Sequence, residues 1–403
     1  MNKPRALIVG MGIGGLATAM RLHEIGWEPV VVERAPGRRA AGYFIGLFET
    51  GRATAERMGV LDAIGNRTDP ASVTYDIDRG GRRRPSMGYG DLPGEPRLLL
   101  RGDIEAALYD QVASKTEIRY NTTPVAIDEH PDGVDVTLAT TTGENTTETT
   151  ERFGLVVGAD GLRSTVRRLA FGPDSDYLQP FHHIIGATIL KEPVPGFRPN
   201  DGMILAEPGR SVWVFPFTDH QPGVLFNYRT DDEDAQFRRP PVESLRHAFG
   251  PEPTGSVLEN LLTQFERADD VLFDSTHQVV MPAWYTDRVV LLGDSAWCLT
   301  LYSGMGASSA LAGADFLGTT LQRNPDNITR ALREYDQRLR PFIATQQHLG
   351  RTDGLPMFVP QTRRDITVRA LTQKLTSNQV GKRVMKTVIA GQFKSKSVDI
   401  AAP

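Results

Sequence analysis

The start of the chain alternates between short apolar runs and one helical pattern. Residues 5–9 form an apolar run that ends at a glycine, which predicts a buried parallel strand. Residues 14–25 follow a helical pattern that stops at Gly26, and residues 28–33 form a second apolar run. Strand, helix and strand together predict one complete βαβ unit.

The rest of the chain alternates between strand-like and helical regions. Short stretches broken by glycine and proline at 71–97 predict a hairpin that leaves the first domain. Residues 181–229 are strand-like again, and a buried strand is predicted at 288–292. The other predicted elements are helices at 51–64, 101–114, 307–322 and 327–345, and three strands within 124–157.

This order of elements predicts an α/β fold in which a Rossmann-like nucleotide-binding domain is interrupted twice by a β-sheet substrate domain. Helices follow at the C-terminal end, where a basic tail with apolar Val368, Leu371 and Leu375 predicts an amphipathic helix packed on the body. The predicted boundaries are 1–70, 98–177 and 270–345 for the nucleotide-binding domain, 71–97 and 178–269 for the substrate domain, and 346–403 for the C-terminal helical segment.

Composition narrows the class of protein. The 403 residues are 40% hydrophobic and 23% charged, which is ordinary for a globular chain, and no apolar run is long enough for a membrane helix. A net charge of −4 gives no global basic field, so we expect no nucleic-acid partner. Cys298 is the one cysteine, and no signal peptide is visible. We therefore expect a soluble, cytoplasmic monomer or homodimer without a metal site.

A glycine motif follows the first predicted strand. Gly10, Gly12 and Gly15 have the spacing that allows a tight turn, a close approach of the backbone to a pyrophosphate, and close packing of helix on strand. Glu33 ends the second strand, where an acid can bind ribose hydroxyls. The predicted cofactor-binding residues of this region are Gly10, Gly12, Gly14, Gly15, Glu33 and Arg34.

Two later motifs indicate which dinucleotide the domain binds, FAD or NAD. The segment from Gly158 to Arg167 and the Gly293–Ala296 segment follow the glycine motif in a fixed order, and Arg101 begins a predicted helix. Together these segments resemble the single-component FAD-dependent aromatic hydroxylases, a family of flavoprotein monooxygenases. The resemblance covers roughly residues 5 to 345, and it implies that FAD is the cofactor and that NADPH or NADH docks transiently.

The resemblance also implies roles for particular residues. Glu33 would bind the adenosine ribose, Arg101 the flavin and Asp294 the ribityl chain, while Asp160 would serve the flavin and the reductant. The segment 303–307 would pass under the flavin ring, ahead of a helix whose N-terminal N–H groups would stabilise negative charge on the reduced ring. The further cofactor-binding residues implied are Gly293, Gly304, Met305, Gly306 and Ala307.

The third motif departs from the family. Trp297 and Leu301 stand where the family usually carries histidine and proline, and Met305 replaces its usual glutamine. The proline carbonyl ordinarily lies near the oxygen-reacting edge of the flavin, so Leu301, Ser303 and Gly304 are the predicted neighbours of the oxygen site.

Aromatic residues indicate the substrate side. Trp213 and Phe215 share one face of a predicted strand, and Phe226 and Tyr228 share one face of the next. An aromatic sheet face beside a flavin suits a flat or apolar ligand, although a packed core would give the same stripes. The predicted substrate residues are Tyr43, Phe44, His183, Trp213, Phe215, Phe226, Tyr228 and Trp297.

The function implied by the resemblance is hydroxylation of a bulky aromatic or polyketide-like small molecule. NAD(P)H would reduce FAD, and oxygen would form a flavin C4a-hydroperoxide that passes an oxygen atom to the substrate. Two alternatives remain open. One is a biosynthetic cyclase or isomerase that keeps FAD as a structural element, which the altered third motif favours. The other is a non-catalytic flavoprotein that binds a hydrophobic ligand.

Overall fold

The computed structural model describes residues 3–38, 43–368 and 394–402 and arranges most of their strands in two large sheets. The strands are β1 (Arg5–Val9), β2 (Glu28–Val32), β3 (Phe44–Leu47), β4 (Thr74–Ile77), β5 (Arg83–Ser86), β6 (Arg97–Leu100), β7 (Glu117–Arg119), β8 (Thr122–His130), β9 (Gly133–Thr142), β10 (Asn145–Phe153), β11 (Leu155–Gly158), β12 (Leu178–Ile189), β13 (Gly202–Glu207), β14 (Arg210–Phe215), β15 (Gly223–Arg229), β16 (Leu272–Val279) and β17 (Val289–Leu291). The helices are α1 (Ile13–Glu24), α2 (Glu49–Arg57), α3 (Leu61–Ile64), α4 (Arg101–Val112), α5 (Thr165–Ala170), α6 (Glu233–Gln236), α7 (Pro241–Phe249), α8 (Gly255–Glu266), α9 (Asp294–Trp297), α10 (Gly306–Arg323), α11 (Ile328–Leu349) and α12 (Leu355–Phe358).

The first large sheet is parallel, with the strand order β17-β11-β1-β2-β7. Its central strands are apolar and buried because helices cover the sheet, as a parallel sheet requires. Helix α1 packs against α4 and α10, and the main hydrophobic core lies between these helices and the sheet. The predicted βαβ unit and Rossmann-like architecture are thus confirmed.

The second large sheet has the order β16-β12-β15-β14-β13-β4-β5 and is antiparallel except where β13 pairs with β4. One of its faces is covered by α7 and α8, which bury a separate core around Phe249 and Phe265. The opposite face looks toward the parallel sheet. Two smaller sheets, β10-β9-β8 and β3-β6, complete the pairing.

Some predicted elements differ from the observed ones. The helix predicted at 51–64 is two helices, α2 and α3, because Gly59 adopts a φ of +70° between them. Residues 124–157 contain a fourth strand, β11, which returns to the parallel sheet. The domain boundaries remain a prediction, and β16, which pairs in the antiparallel sheet, lies beyond residue 269.

The C-terminal part of the chain packs back on the nucleotide-binding side. Residues 363–368 are helical, and the remainder of the predicted amphipathic tail helix, with Leu371 and Leu375, lies outside the described residues. Ile400 and Ala401 are buried in the main core. Among the helices of the described ranges, none combines the length and the apolar character that a membrane crossing requires.

Candidate functional site

A large cavity opens between the two main sheets. It encloses about 1970 Å³, and its walls run from the glycine turn after β1 to the uncovered face of the antiparallel sheet. Small-molecule pockets usually hold about 300–1000 Å³. The cavity therefore has room for a dinucleotide and for a second ligand at its sheet end.

The glycine turn forms the first end of the cavity. Gly10 has a φ of +102°, which a side chain would strain, and a Cβ on Gly15 would lie 1.9 Å from the Gly10 carbonyl oxygen. Helix α1 begins directly after Gly12, so its first-turn N–H groups face the cavity at the positive end of the helix dipole. Gly10, Gly12 and Gly14 line the cavity, whereas Gly15 packs helix on strand behind it.

Glu33 holds the acidic position at the end of β2. Its carboxylate accepts hydrogen bonds from the backbone N–H of Met11 at 3.0 Å and of Ala35 at 2.8 Å, which joins the glycine turn to the strand end. Glu33 and Arg34 both line the cavity. The carboxylate is thus fixed where the ribose of a dinucleotide with its pyrophosphate on α1 would come.

Arg101 and Asp294 form a charged group in the middle of the cavity. Arg101 pairs with Glu105 at 3.0 Å, and its guanidinium lies next to Gly12. Desolvation in the cavity raises the pKa of Asp294, and the nearby Arg101 charge opposes that rise. Desolvation likewise raises the pKa of Tyr43, whose carbonyl accepts the Arg101 backbone N–H. The cation and the acid thus provide opposite charges for a polar chain lying between them.

Asp160 lines the cavity, but its carboxylate is already well bonded. It accepts hydrogen bonds from the Ser164 hydroxyl at 2.5 Å and from the N–H groups of Thr165 at 2.6 Å and Val166 at 3.1 Å. Burial raises its pKa, and these donors oppose the rise. The side chain therefore organises the start of α5 and the turn that presents Arg163, which pairs with Asp274.

The turn before α10 closes the middle of the cavity. Leu301, Ser303 and Gly304 line it, as do Gly293, Gly306 and Ala307. Gly304 has a φ of +68° and ends the short 3-10 turn Leu301–Ser303. Helix α10 starts at Gly306, so its N–H groups point to this part of the cavity.

The predictions that Trp297 is a substrate residue and that Met305 is a cofactor-binding residue are wrong. The Trp297 side chain lies in the main core against Trp284 and Tyr335, and its indole N–H donates to the Ser309 hydroxyl. Met305 is also fully buried in that core. Neither residue lines the cavity, because both side chains belong to the main hydrophobic core.

The sheet end of the cavity is aromatic. Trp213 and Phe215 line it as predicted, and Phe44 lies flat on Phe215 with 3.6 Å between the ring centroids. The Trp213 indole N–H donates to the Phe358 carbonyl at 3.1 Å, and the two rings are 4.8 Å apart. The wall is therefore built from the sheet, from β3 and from the segment after α11.

The prediction that Phe226 and Tyr228 line the cavity is wrong. In the sheet register Phe226 is opposite Val212, and Trp213 is opposite Leu225. Directly opposite residues share a face, so Leu225 lines the cavity, whereas Phe226 is buried among Phe249 and Phe265. The Tyr228 hydroxyl donates to Gln236 on the same buried side.

His183 is not a cavity residue either. Its ring is buried, Nδ1 is 2.6 Å from the Phe181 carbonyl oxygen, and burial lowers its pKa. A neutral, hydrogen-bonded histidine under Tyr302 belongs to the core.

Several residues that line the cavity could not have been identified from a sequence motif. Tyr89 packs edge-on against Phe44, Phe358 packs on Trp213, and Lys396 comes from the far C-terminal segment. Glu105 is the exception, since it stands one helical turn after Arg101 and could have been found from that spacing.

Comparison with known proteins agrees with this geometry. The family described as FAD binding domain matches residues 3–344. A flavin-dependent monooxygenase from an unknown prokaryotic organism is 26% identical over 354 residues, covering 86% of this chain and 88% of the relative.

Solved structures share the fold. The tetracycline destructase Tet(55) superposes with a TM-score of 0.80 at 23% identity, covering 100% of this chain and 98% of that one. Klebsiella pneumoniae HpxO, complexed with FAD and uric acid, gives a TM-score of 0.73 at 17% identity, with 97% of each chain covered.

The chain belongs to the FAD-binding domain family of flavin monooxygenases, and FAD is its cofactor. The residues present fit FAD, because the glycine turn, the fixed Glu33 carboxylate, the Arg101–Asp294 group and the α10 N-terminus follow one another along one continuous cavity wall. The class predicted from the three motifs is thus confirmed.

Proposed function

We propose that this chain is an FAD-dependent monooxygenase that hydroxylates a bulky aromatic or polyketide-like small molecule, with NADPH or NADH as the transient reductant. When bound, FAD supplies the reduction of oxygen and its transfer to the substrate. The protein supplies binding, orientation and exclusion of water.

The observation that carries this proposal is the aromatic end of the cavity. Trp213, Phe215 and Phe44 face a space that continues to the Ser303–Gly304 turn. Flat apolar surfaces recognise flat apolar ligands, and the volume left beside a dinucleotide suits several fused rings. The names of two structural neighbours, a tetracycline destructase and a protein complexed with uric acid, are consistent with ring-shaped ligands.

We further propose a role for each part of the cavity wall. The α1 N-terminus and Glu33 would hold the adenosine diphosphate part, and Asp294 would bind the ribityl chain. Gly304, Gly306 and Ala307 would lie along the flavin ring. Leu301 lies next to Ser303 on the wall, where it would exclude water from the site of oxygen transfer.

One of the two observations that favoured a non-redox FAD no longer favours it. It rested on Trp297 and Leu301, and the Trp297 side chain lies in the core behind the cavity. Leu301 alone changes one wall residue and leaves the FAD-binding groups in place.

The test is a substrate screen with the purified, FAD-loaded protein. Tetracyclines, anthraquinones and smaller aromatic acids are incubated with NADPH or NADH in air, and NAD(P)H consumption and product mass are followed. We expect a fused-ring compound to stimulate NAD(P)H oxidation and to gain one oxygen atom. Conversion without reductant would contradict the proposal and indicate an isomerase or cyclase. Binding without conversion under any condition would indicate a ligand-binding protein.

A further inference from the structure

Lys396 reaches the cavity from the far end of the chain. Its ammonium donates a hydrogen bond to the Ser303 carbonyl oxygen at 2.6 Å and lies 4.7 Å from the centre of the Phe48 ring. The same nitrogen is 3.7 Å from the point where a Cβ of Gly304 would stand. A positive charge thus lies on the turn that precedes α10.

The segment that carries Lys396 is firmly attached. The Thr50 hydroxyl donates to the Val398 carbonyl, and Asp399 pairs with Arg57 of α2. Arg57 also binds Asp315 of α10 at 3.0 Å, and Ile400 is buried in the main core. These contacts hold residues 394–402 against both helices that border the turn.

Lys396 and the start of α10 act on the same space. Phe48, under the ammonium, donates its backbone N–H to the Ser308 hydroxyl in the first turn of α10. The helix begins two residues after Gly304, so its positive end and the lysine charge lie on the same stretch of cavity wall. Both favour an anionic group bound against the turn.

We propose that Lys396 is a cofactor-binding residue, contributed by the C-terminal segment, that stabilises negative charge on the flavin ring after reduction. The proposal rests on the function proposed above, since it assumes that the flavin ring binds against the Ser303–Gly304 turn. A fixed charge in a desolvated wall stabilises a charge that develops beside it without reorganisation. Burial lowers the pKa of Lys396 to about 8, and an anion beside the amine would raise that pKa again.

The test compares the affinity for oxidised and for reduced FAD. In Lys396→Gln an amide can still donate to the Ser303 carbonyl, but the charge is gone. We expect Lys396→Gln to bind reduced FAD about tenfold more weakly relative to oxidised FAD, the size of one charge-assisted interaction. By the two-electron relation this tenfold change lowers the FAD midpoint potential by about 30 mV.

Two matched variants separate charge from structure. Lys396→Arg keeps the charge and should keep the wild-type potential. Lys394→Gln removes an exposed lysine from the same segment and should also leave the potential unchanged. Potentials are measured by equilibrium reduction against a reference dye, and affinities by titration of apoprotein with FAD.

The outcomes distinguish this inference from the proposed function. If Lys396→Gln weakens both redox states equally, or leaves the potential unchanged, Lys396 has a structural role only and the inference is overturned. The same conclusion follows if Lys394→Gln shifts the potential as much. If Lys396→Gln does not fold, Lys396→Met, compared with Lys396→Arg, gives the same measurement. Failure to hydroxylate any compound, with the potential shift present, would overturn only the proposed function.

Discussion

The two ends of the cavity are built in different ways. At the dinucleotide end, the wall is the backbone turn of Gly10 and Gly12, joined by a hydrogen bond to the Glu33 carboxylate at the end of the next strand. At the sheet end, Trp213, Phe44 and Phe358 come from three distant parts of the chain. The first end presents helix N–H groups and a carboxylate, which suit groups that every FAD carries, whereas the second presents aromatic rings. Because the two ends are lined by different residues, we expect substitutions at the sheet end to change substrate binding without changing FAD binding.

The largest expected effect is at the glycine turn. Gly12→Val should reduce FAD binding beyond detection, because the added side chain points into the cavity where the pyrophosphate meets α1. A Cβ at this position would approach the Arg101 side chain at 3.2 Å, which can move, so the apoprotein should fold. FAD content after purification and the melting temperature of the apoprotein measure the two effects.

Gly15→Ala serves as the contrasting variant at this end. Its Cβ would collide with the Gly10 carbonyl oxygen at 1.9 Å, so it should lower the stability of the apoprotein itself. If Gly12→Val retains wild-type FAD content, the assignment of this turn to the pyrophosphate is wrong.

A moderate effect is expected in the middle of the cavity. Asp294→Asn should weaken FAD binding about ten- to hundredfold, because a hydrogen bond to a charged acceptor contributes about 1.5–3 kcal/mol. Titration of the apoprotein with FAD measures the change. Unchanged affinity would remove Asp294 from the predicted ligands.

The pH dependence of the apoprotein checks the same residue. Desolvation in the cavity raises the pKa of Asp294 above its unfolded value, although the nearby Arg101 charge opposes the rise, so the folded apoprotein holds this proton to a higher pH than the unfolded chain does. Its contribution to stability is therefore present at low pH and is lost as pH rises through the raised pKa. We expect Asp294→Asn apoprotein to gain stability relative to wild type over the pH interval that begins at about pH 4, where the unfolded carboxyl titrates. A relative loss of stability over that interval would contradict this sign.

The smallest effect is at the sheet end, where two aromatic residues on opposite faces form a matched pair. Trp213→Leu should raise the KM for a fused-ring substrate about three- to tenfold, the value of a lost aromatic contact, and should cost about 1 kcal/mol of stability through the lost hydrogen bond to the Phe358 carbonyl. Phe226→Leu should lower the free energy of unfolding by about 1 kcal/mol and leave the KM unchanged. Steady-state kinetics and denaturant titration measure both, and equal KM effects would show that the two faces were assigned wrongly.

The same contrast explains which parts of the molecule could be predicted from the sequence. The βαβ unit, the glycine turn and Glu33 depend on local spacing, so they were predictable residue by residue. The position of Phe226 could not be predicted in this way. The sequence of a strand shows two alternating faces, but it does not show which of them lies on the same side of the sheet as a given face of the neighbouring strand. Trp297 stands three residues after Asp294, at the end of the short helix α9, and its side chain is buried in the core. Lys396 reaches the cavity through packing that no motif encodes.

We propose that FAD takes part in oxygen transfer to a ring-shaped substrate. This proposal is tested most directly with a substrate from the screen, by anaerobic reduction of the loaded protein with NADPH followed by rapid mixing with isotopically heavy oxygen gas. We expect NADPH to bleach the flavin absorbance, and the product then to contain one heavy oxygen atom taken from the gas. A product formed while the flavin stays oxidised, or one that contains no oxygen from the gas, would contradict it.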